Sequence, residues 1–439
     1  MRMTVIGTGY LGVVHAACMA DIGHDVLGID TDPQKVALLM QGHPPFYEPG
    51  LDELLRSSVA SGRLRFATSL AQAADFADLH FICVGTPQRP GSQHLELSGV
   101  HAVVDGLVPL LRRDSLIVGK STVPVGTAAA IGCRIAGLAP PGIGVGIAWN
   151  PEFLREGRAV QDTLAPDRIV VGTESVAAAE LLRIAYQPML TAGLPFIATD
   201  LSTAELVKIS ANAFLATKIS FINAVADVCE AAGGDISTLT EALGHDSRIG
   251  QSYLSAGIGF GGSCLAKDLR AFVARADELG AGDSVGLLRE VDEYNLRRRS
   301  RAVEITADVL GGSLWEQNVA VLGAAFKPDT DDVRDSPALH VAAAMHELGA
   351  RVRVHDPKAN ENARVAHPSL DYAPTAEKAC EAADVVLHLT EWRQYRDIDP
   401  AALGAIVRQR RMVDGRNSLP VQRWLDAGWT VRGLGRATF

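Results

Sequence analysis

The chain alternates short, nearly continuous apolar runs with longer runs whose apolar positions recur every three to four residues. Residues 3–6 (M-T-V-I) are the first short run and predict a strand. The chain then passes through G-T-G-Y-L-G, residues 7–12, into an amphipathic helix reaching toward residue 22. The same alternation predicts strands at 25–29, 64–68, 79–84, 116–120 and 145–149, with helices at 33–40, 51–61, 97–111 and 127–137. Residues 168–172 and 195–197 add strands on either side of a helix at 176–186. Apolar strands alternating with helices imply a parallel sheet covered on both faces.

Near residue 200 the alternation stops. The stretch D-L-S-T-A-E (200–205) reads as a helix start, with Ser202 as N-cap and Glu205 completing a capping box. This helix should run to about residue 232, ahead of Gly233 and Gly234. It is apolar nearly all round, so it is expected to be buried. Lys208 and Asn212, four residues apart on one face, would then need partners. Residues 244–250 and 257–268 read as loop, followed by helices at 267–279 and 284–310. Long apolar helices between two α/β modules suit a dimer surface. From residue 318 the alternation resumes, with a helix at 336–348 and strands at 318–323, 351–355, 384–389, 412–413 and 429–432. The expected fold is α/β: two Rossmann-like domains, 1–199 and 313–439, joined by a central helical dimerisation region, 200–312. The second sheet should be smaller and has no G-x-G-x-x-G.

At 439 residues the chain exceeds one ordinary core, at about 150 residues per domain. Its 47% hydrophobic and 21% charged residues suit a soluble enzyme. A formal net charge of −10 argues against a general nucleic-acid binder, while leaving room for local basic pockets. The six cysteines are scattered, with neither a C-x-x-C pair nor metal-ligand spacing. Free thiols, no metal and a cytoplasmic location are therefore expected. The N-terminus lacks a signal-peptide layout, and no apolar run is expected to span a membrane.

Residues 7–12 carry the first chemistry. In G-x-G-x-x-G the first glycine makes the turn, the second admits a pyrophosphate and the third lets the helix pack on the strand. Asp30, ending the second strand, is placed to bind a ribose hydroxyl, which favours NAD over NADP. Three further segments leave strand ends: V-G-T-P (84–87), S-T-V-P-V-G (121–126) and N-P-E-F-L-R-E-G (150–157). Thr86 and Thr122 read either as turn caps or as cleft residues, and Glu152 and Glu156 either as solvated charges or as site carboxylates. Cys264 follows a glycine cluster and precedes Lys267 and Asp268. It is either a small buried hydrophobe or a thiolate nucleophile favoured by the nearby cation. Lys327 and Arg334 leave a strand end in a loop suited to phosphate oxygens.

These segments, together with F-Y-E-P-G-L-D-E-L-L (46–55), D-S-R-I-G, G-F-G-G-S-C and F-K-P-D-T-D-D-V-R-D-S-P, resemble the UDP-glucose 6-dehydrogenase family of nucleotide-sugar dehydrogenases over nearly the whole chain. The resemblance implies a homodimer that oxidises UDP-glucose to UDP-glucuronate with NAD, through a cysteine thiohemiacetal and thioester. It implies catalytic roles for Cys264, Lys208, Asn212, Asp268, Glu156 and Thr122. It assigns cofactor contacts to Gly7, Gly9, Tyr10, Leu11, Gly12, Asp30, Lys35, Thr86, Thr122, Glu156, Lys267 and Arg334. Substrate contacts fall to Glu152, Phe153, Leu154, Glu156, Lys208, Asn212, Arg248, Tyr253, Gly257, Phe260, Gly261 and Lys327, with Arg248 reaching the neighbouring subunit's substrate. Two departures stand out: Ala266 replaces the family's usual proline, and residues 88–96 lack its usual acidic, glycine-rich wording. A GDP-mannose 6-dehydrogenase would use the same chemistry, and a non-catalytic nucleotide-sugar sensor could keep the folds without needing Cys264, Lys208 and Asp268.

Overall fold

In the computed structural model, which describes residues 1–190 and 193–436, the strands sort into two sheets, one in each of two units. The first unit is Met1–Ala211 with Ala274–Leu279, and the second is Asn212–Val273 with Gly280–Phe439.

The first unit holds β1 (Arg2–Ile6), β2 (Asp25–Ile29), β3 (Leu64–Ala67), β4 (Leu79–Ile82), β5 (Ser115–Gly119), β6 (Val145–Trp149), β7 (Ile169–Gly172) and β8 (Phe196–Thr199), in the order β3-β2-β1-β4-β5-β6-β7-β8. The order reverses between β1 and β4, which opens a crevice beyond their carboxyl ends. Val5, Val26, Phe81 and Val118 are wholly buried between sheet and helices. Each such side chain contributes about 1.5–3 kcal/mol of burial.

The expectation of a wholly parallel sheet is corrected at one edge. β6 meets β7 antiparallel through Trp149 and Gly172, while β7 and β8 are parallel to each other. The chain leaving β6 folds as a loop and the short helix Ala159–Leu164, then re-enters from the same end of the sheet.

The helix Leu201–Ala231 starts differently from the expected capping box. Asp200, not Ser202, accepts the Thr203 N–H at 2.8 Å and its hydroxyl at 2.7 Å. Glu205 bonds instead to backbone N–H groups of Gly126 and Ala128. Nor is the helix buried all round, since Phe214, Phe221 and Val228 are 66%, 56% and 68% exposed. It is also, by length and composition alone, apolar enough to cross a membrane, contrary to the expectation of no such run. Its Glu205, Lys208, Asn212 and Asn223 are buried and hydrogen-bonded or ion-paired within the protein.

The second unit contains the parallel sheet β11-β10-β9-β12-β13-β14, formed by β9 (Asn318–Leu322), β10 (Arg351–His355), β11 (Asp371–Tyr372), β12 (Val385–His388), β13 (Arg411–Asp414) and β14 (Thr430–Gly433). Val321, Leu339, Val354, Leu387 and Val413 form its core. The order reverses between β9 and β12, so the loop bearing Lys327 leaves the sheet at its switch point. The long helix Gly286–Val309 is less apolar than anticipated: it buries Asn295, Arg298 and Arg299.

Substituting Asp200→Ala should lower the thermal unfolding midpoint, and Ser202→Ala should leave it nearly unchanged. The reverse ranking would restore Ser202 as the cap.

Candidate active site

The loop after β1 makes the first half of the site. A Cβ on Gly12 would overlap the carbonyl oxygen of Gly7, whereas one on Gly9 would meet nothing within 4 Å. The third glycine is thus demanded by packing, and the second leaves open space above the first turn of the helix Tyr10–Asp21. The N–H groups of a helix's first turn, which have no intrahelical partner, and the positive end of the helix dipole favour an anion there. Asp30 at the end of β2 accepts from the Thr8 N–H (3.0 Å), the Thr8 hydroxyl (2.9 Å) and Lys35 Nζ (3.0 Å). Burial alone would raise its carboxyl, but bonds from Asp32 N–H, Lys35 and Thr8 hold it below the ordinary range. Lys35 therefore reaches the cradle through Asp30. These residues fit a dinucleotide with a free 2′-hydroxyl, because an acid at this position opposes a 2′-phosphate.

The loops after β4, β5 and β6 complete this side. Thr86 donates its hydroxyl to the Thr122 carbonyl at 2.7 Å, which joins two of the expected cofactor residues. Glu152 splits its oxygens between the Leu154 N–H (2.7 Å) and Lys208 Nζ (3.0 Å). The Lys208 ammonium also lies 5.7 Å from the Phe153 ring centroid. Both charges are mostly buried, so breaking the pair would strand the other member. Glu152 also lines a cavity of about 200 Å³, together with His15, Lys120, Asn150, Phe153 and Tyr186, among others. Burial pushes the Lys120 ammonium down to about 8.

Glu48 was missed by reasoning from residue type, although it lies in the F-Y-E-P-G segment. It is 1% exposed; its carboxylate accepts the Gly157 and Ala159 N–H groups, both at 2.6 Å, and also the Tyr10 hydroxyl. Burial raises its carboxyl despite these bonds. One side chain so ties the glycine-rich turn to the loop bearing Glu156.

In the second unit, Cys264 is exposed immediately ahead of the helix Leu265–Glu278, and its carbonyl accepts the first helical bond, from Asp268 N–H at 2.8 Å. A thiol at a helix N-terminus is favoured as thiolate. Asp268 is fully buried and accepts from Asn212 Nδ2 (2.7 Å) and Lys267 Nζ (2.6 Å). The structure therefore unites Asn212, Lys267 and Asp268 with the turn after Cys264. Ala266, in the first turn of the same helix, packs with Phe260 and Leu269. Its N–H precedes the first intrahelical bond, so proline's lack of that group would cost little there.

The preceding glycine stretch is held by its backbone. Gly257 donates to Asn223 (2.8 Å) and accepts from Arg298 (3.1 Å). Arg416 reaches the Gly259 carbonyl at 2.9 Å. Asn295 bonds both the N–H and the carbonyl of Phe260, at 2.8 and 3.0 Å, and Arg299 donates to that carbonyl at 3.1 Å. A Cβ on Gly261 would overlap the Asp335 carbonyl oxygen. None of these five holders was anticipated. Asn295, Arg298 and Arg299 do recur at helical spacing on one face of the helix Gly286–Val309, which was the available signal.

Other expected residues lie in loops of the same unit. Arg248, with its side chain 87% exposed, is chelated by Asp246, and Arg334 by Asp332. The Arg334 carbonyl accepts the Gly262 N–H at 3.0 Å. Lys327 lies over the Phe326 ring at 5.6 Å, and Tyr253 adopts a left-handed φ of 65°.

Comparisons with known proteins match this division of labour. Residues 1–190, 202–297 and 320–420 match the NAD-binding, central and UDP-binding domain models of the UDP-glucose/GDP-mannose dehydrogenase family. The chain is similar to UDP-glucose 6-dehydrogenases of Rhizobium meliloti and Bacillus subtilis, each 40% identical across 99% of this chain and 100% and 98% of theirs. A UDP-glucose dehydrogenase structure from Pyrobaculum islandicum superposes with a TM-score of 0.91 at 39% identity, covering 99% of this chain and 98% of that one.

Gly9→Ala should leave the unfolding midpoint unchanged but weaken NADH binding in a fluorescence titration at least tenfold. Gly12→Ala should lower the midpoint itself. Equal behaviour of the two variants would refute the separate roles given to these glycines.

Proposed function

The chain belongs to the UDP-glucose/GDP-mannose dehydrogenase family, and on that premise we propose that it oxidises the C6 alcohol of UDP-glucose to the carboxylate of UDP-glucuronate. The observation that carries the reading is Cys264, exposed at a helix start, with Asp268 of the same turn bonded to Lys267 and Asn212. Binding a nucleotide sugar gives a thiol no role, whereas a four-electron oxidation through a covalent intermediate uses one. The similarity to UDP-glucose dehydrogenases supports UDP-glucose as the sugar.

The turn 7–12, Asp30 and Thr86 would hold NAD, with Tyr10, Leu11, Lys35, Lys267 and Arg334 as further contacts, and when bound it would supply the hydride acceptor for both oxidations. The remaining chemistry falls to side chains. After the alcohol has become an aldehyde, the Cys264 thiolate adds to its carbon. The resulting thiohemiacetal is again a tetrahedral carbon bearing hydrogen and oxygen, so a second oxidation can proceed and leaves a thioester. Water positioned by Glu156 and Thr122 attacks the thioester, and the thiolate departs. Lys208, Asn212 and Asp268 stabilise the successive oxyanions, the contribution that is commonly largest. Glu152 fixes Lys208 for that role. Phe153, Leu154, Tyr253, Gly257, Phe260, Gly261 and Lys327 contact the nucleotide sugar.

The functional form is a cytoplasmic homodimer. Supporting it are Phe214, Phe221 and Val228, exposed at seven-residue intervals on one face of the helix Leu201–Ala231, and the absence of any disulfide among the cysteines. Arg248 completes the partner's site.

In an absorbance assay, two NADH should form per UDP-glucose consumed, with far less from GDP-mannose or UDP-N-acetyl sugars. One NADH per sugar, or none with any of them, would overturn the reading. Phe221→Asp should elute as a monomer in size-exclusion chromatography with light scattering; an unchanged dimer would rule out this face.

A further inference from the structure

The loop that carries Thr122 is anchored from several directions. Ser121 donates its hydroxyl to the Val84 carbonyl at 2.6 Å, and Thr86 donates to the Thr122 carbonyl. Arg275 donates to the Val125 carbonyl at 2.9 Å. The loop ends in the helix Thr127–Leu138, whose N-cap, Gly126, has a left-handed φ of 95° and no side chain to cap with. The missing cap comes from 77 or more residues away. Glu205, 2% exposed, accepts Gly126 N–H through Oε2 at 2.7 Å and Ala128 N–H through Oε1 at 2.6 Å. Glu205 lies three residues before Lys208 on the helix Leu201–Ala231, and Lys208 is in turn bonded to Glu152.

We propose that Glu205 is a positioning residue, whose two carboxylate oxygens fix the Thr122 loop against the helix that carries Lys208. The proposal rests on the reaction described above, in which Thr122 serves the water and Lys208 the oxyanion. A carboxylate holding two N–H groups constrains the loop at two points; a neutral side chain of the same shape offers one acceptor. The groups bearing on its ionisation are the backbone N–H donors of Ala128, Gly126 and Thr127 and the guanidinium of Arg275, all favouring the charged form. Lys208 stands one turn along the same helix. Burial outweighs the donors and pushes the Glu205 carboxyl up to about 7. Because its folded value lies above the ordinary 4.5, the folded protein holds the extra proton between about 4.5 and 7, and the two-point clamp forms only above that window.

Glu205→Gln mimics the protonated side chain. Above pH 7 its kcat should fall about tenfold or more below wild type, as loss of alignment implies, with KM for both substrates changing less. Below pH 6 the ratio of wild type to variant should shrink toward one. A mere stabilising role would instead lower the unfolding midpoint and leave the kcat ratio independent of pH. Wild-type kcat in Glu205→Gln above pH 7, or a pH-independent ratio, would overturn the proposal. Should that variant fail to fold, Arg275→Met tests it instead: the acidic limb of kcat should move to higher pH, and an unmoved limb would overturn it. A wild-type protein that yields no NADH from UDP-glucose defeats the reaction itself, a distinct failure.

Discussion

The interaction on which the second unit depends is the capture of the Gly257–Phe260 backbone by buried cationic and amide side chains. Arg298, Arg299 and Asn295 come from one helix and Arg416 from the loop after β13. Left without partners, each buried carbonyl would cost about 1–3 kcal/mol. The arginines are tolerated in the interior because they are themselves paired, Arg298 with Asp227 and Arg299 with Asp335. Loop and helix therefore require each other. The glycines let the chain thread between these groups, and the thread ends at Cys264.

The two sheets solve one local problem in two ways. In each, an aspartate ending the second strand reaches N–H groups that follow the first. Asp356 receives Ala324 and Ala325 N–H groups, those of Lys358 and Ala359, and the Trp392 indole. It is 2% exposed and occupied on all sides. Asp30 receives Thr8, Asp32 and Lys35 and keeps a solvent-accessible edge. The same topology thus gives a fully occupied acid in one sheet and an acid left partly open to solvent in the other, decided by what crowds the carboxylate.

Much of this was legible in the sequence. Strands at 25–29, 145–149 and 351–355 fall where the sequence pattern puts them: the first two are largely apolar runs, and the third alternates Val352 and Val354 with arginines. Lys208 and Asn212 declared themselves as polar residues in apolar company, and both have buried partners. What stayed hidden was long-range. Glu205 satisfies a capping-box spacing, yet its oxygens serve another helix, and nothing local distinguishes the two outcomes. Arg298 and Arg299 look like a solvated face until the loop they hold is folded beside them. Phe214 and Phe221 look like core, but their face of the helix is left uncovered within one chain. Glu48 sits in a segment that resembles the family, while its bonds to Gly157 and Ala159 span more than a hundred residues.

In the proposed reaction the sugar passes through a covalent thioester on Cys264. Weakening the attack of water with Glu156→Gln should allow that species to accumulate. Acid-quenched peptide mass spectrometry after mixing this variant with UDP-glucose and NAD should find the nucleotide-uronyl adduct on the peptide bearing Cys264. NADH production with that peptide unmodified, or with the adduct on a different residue, would contradict the account.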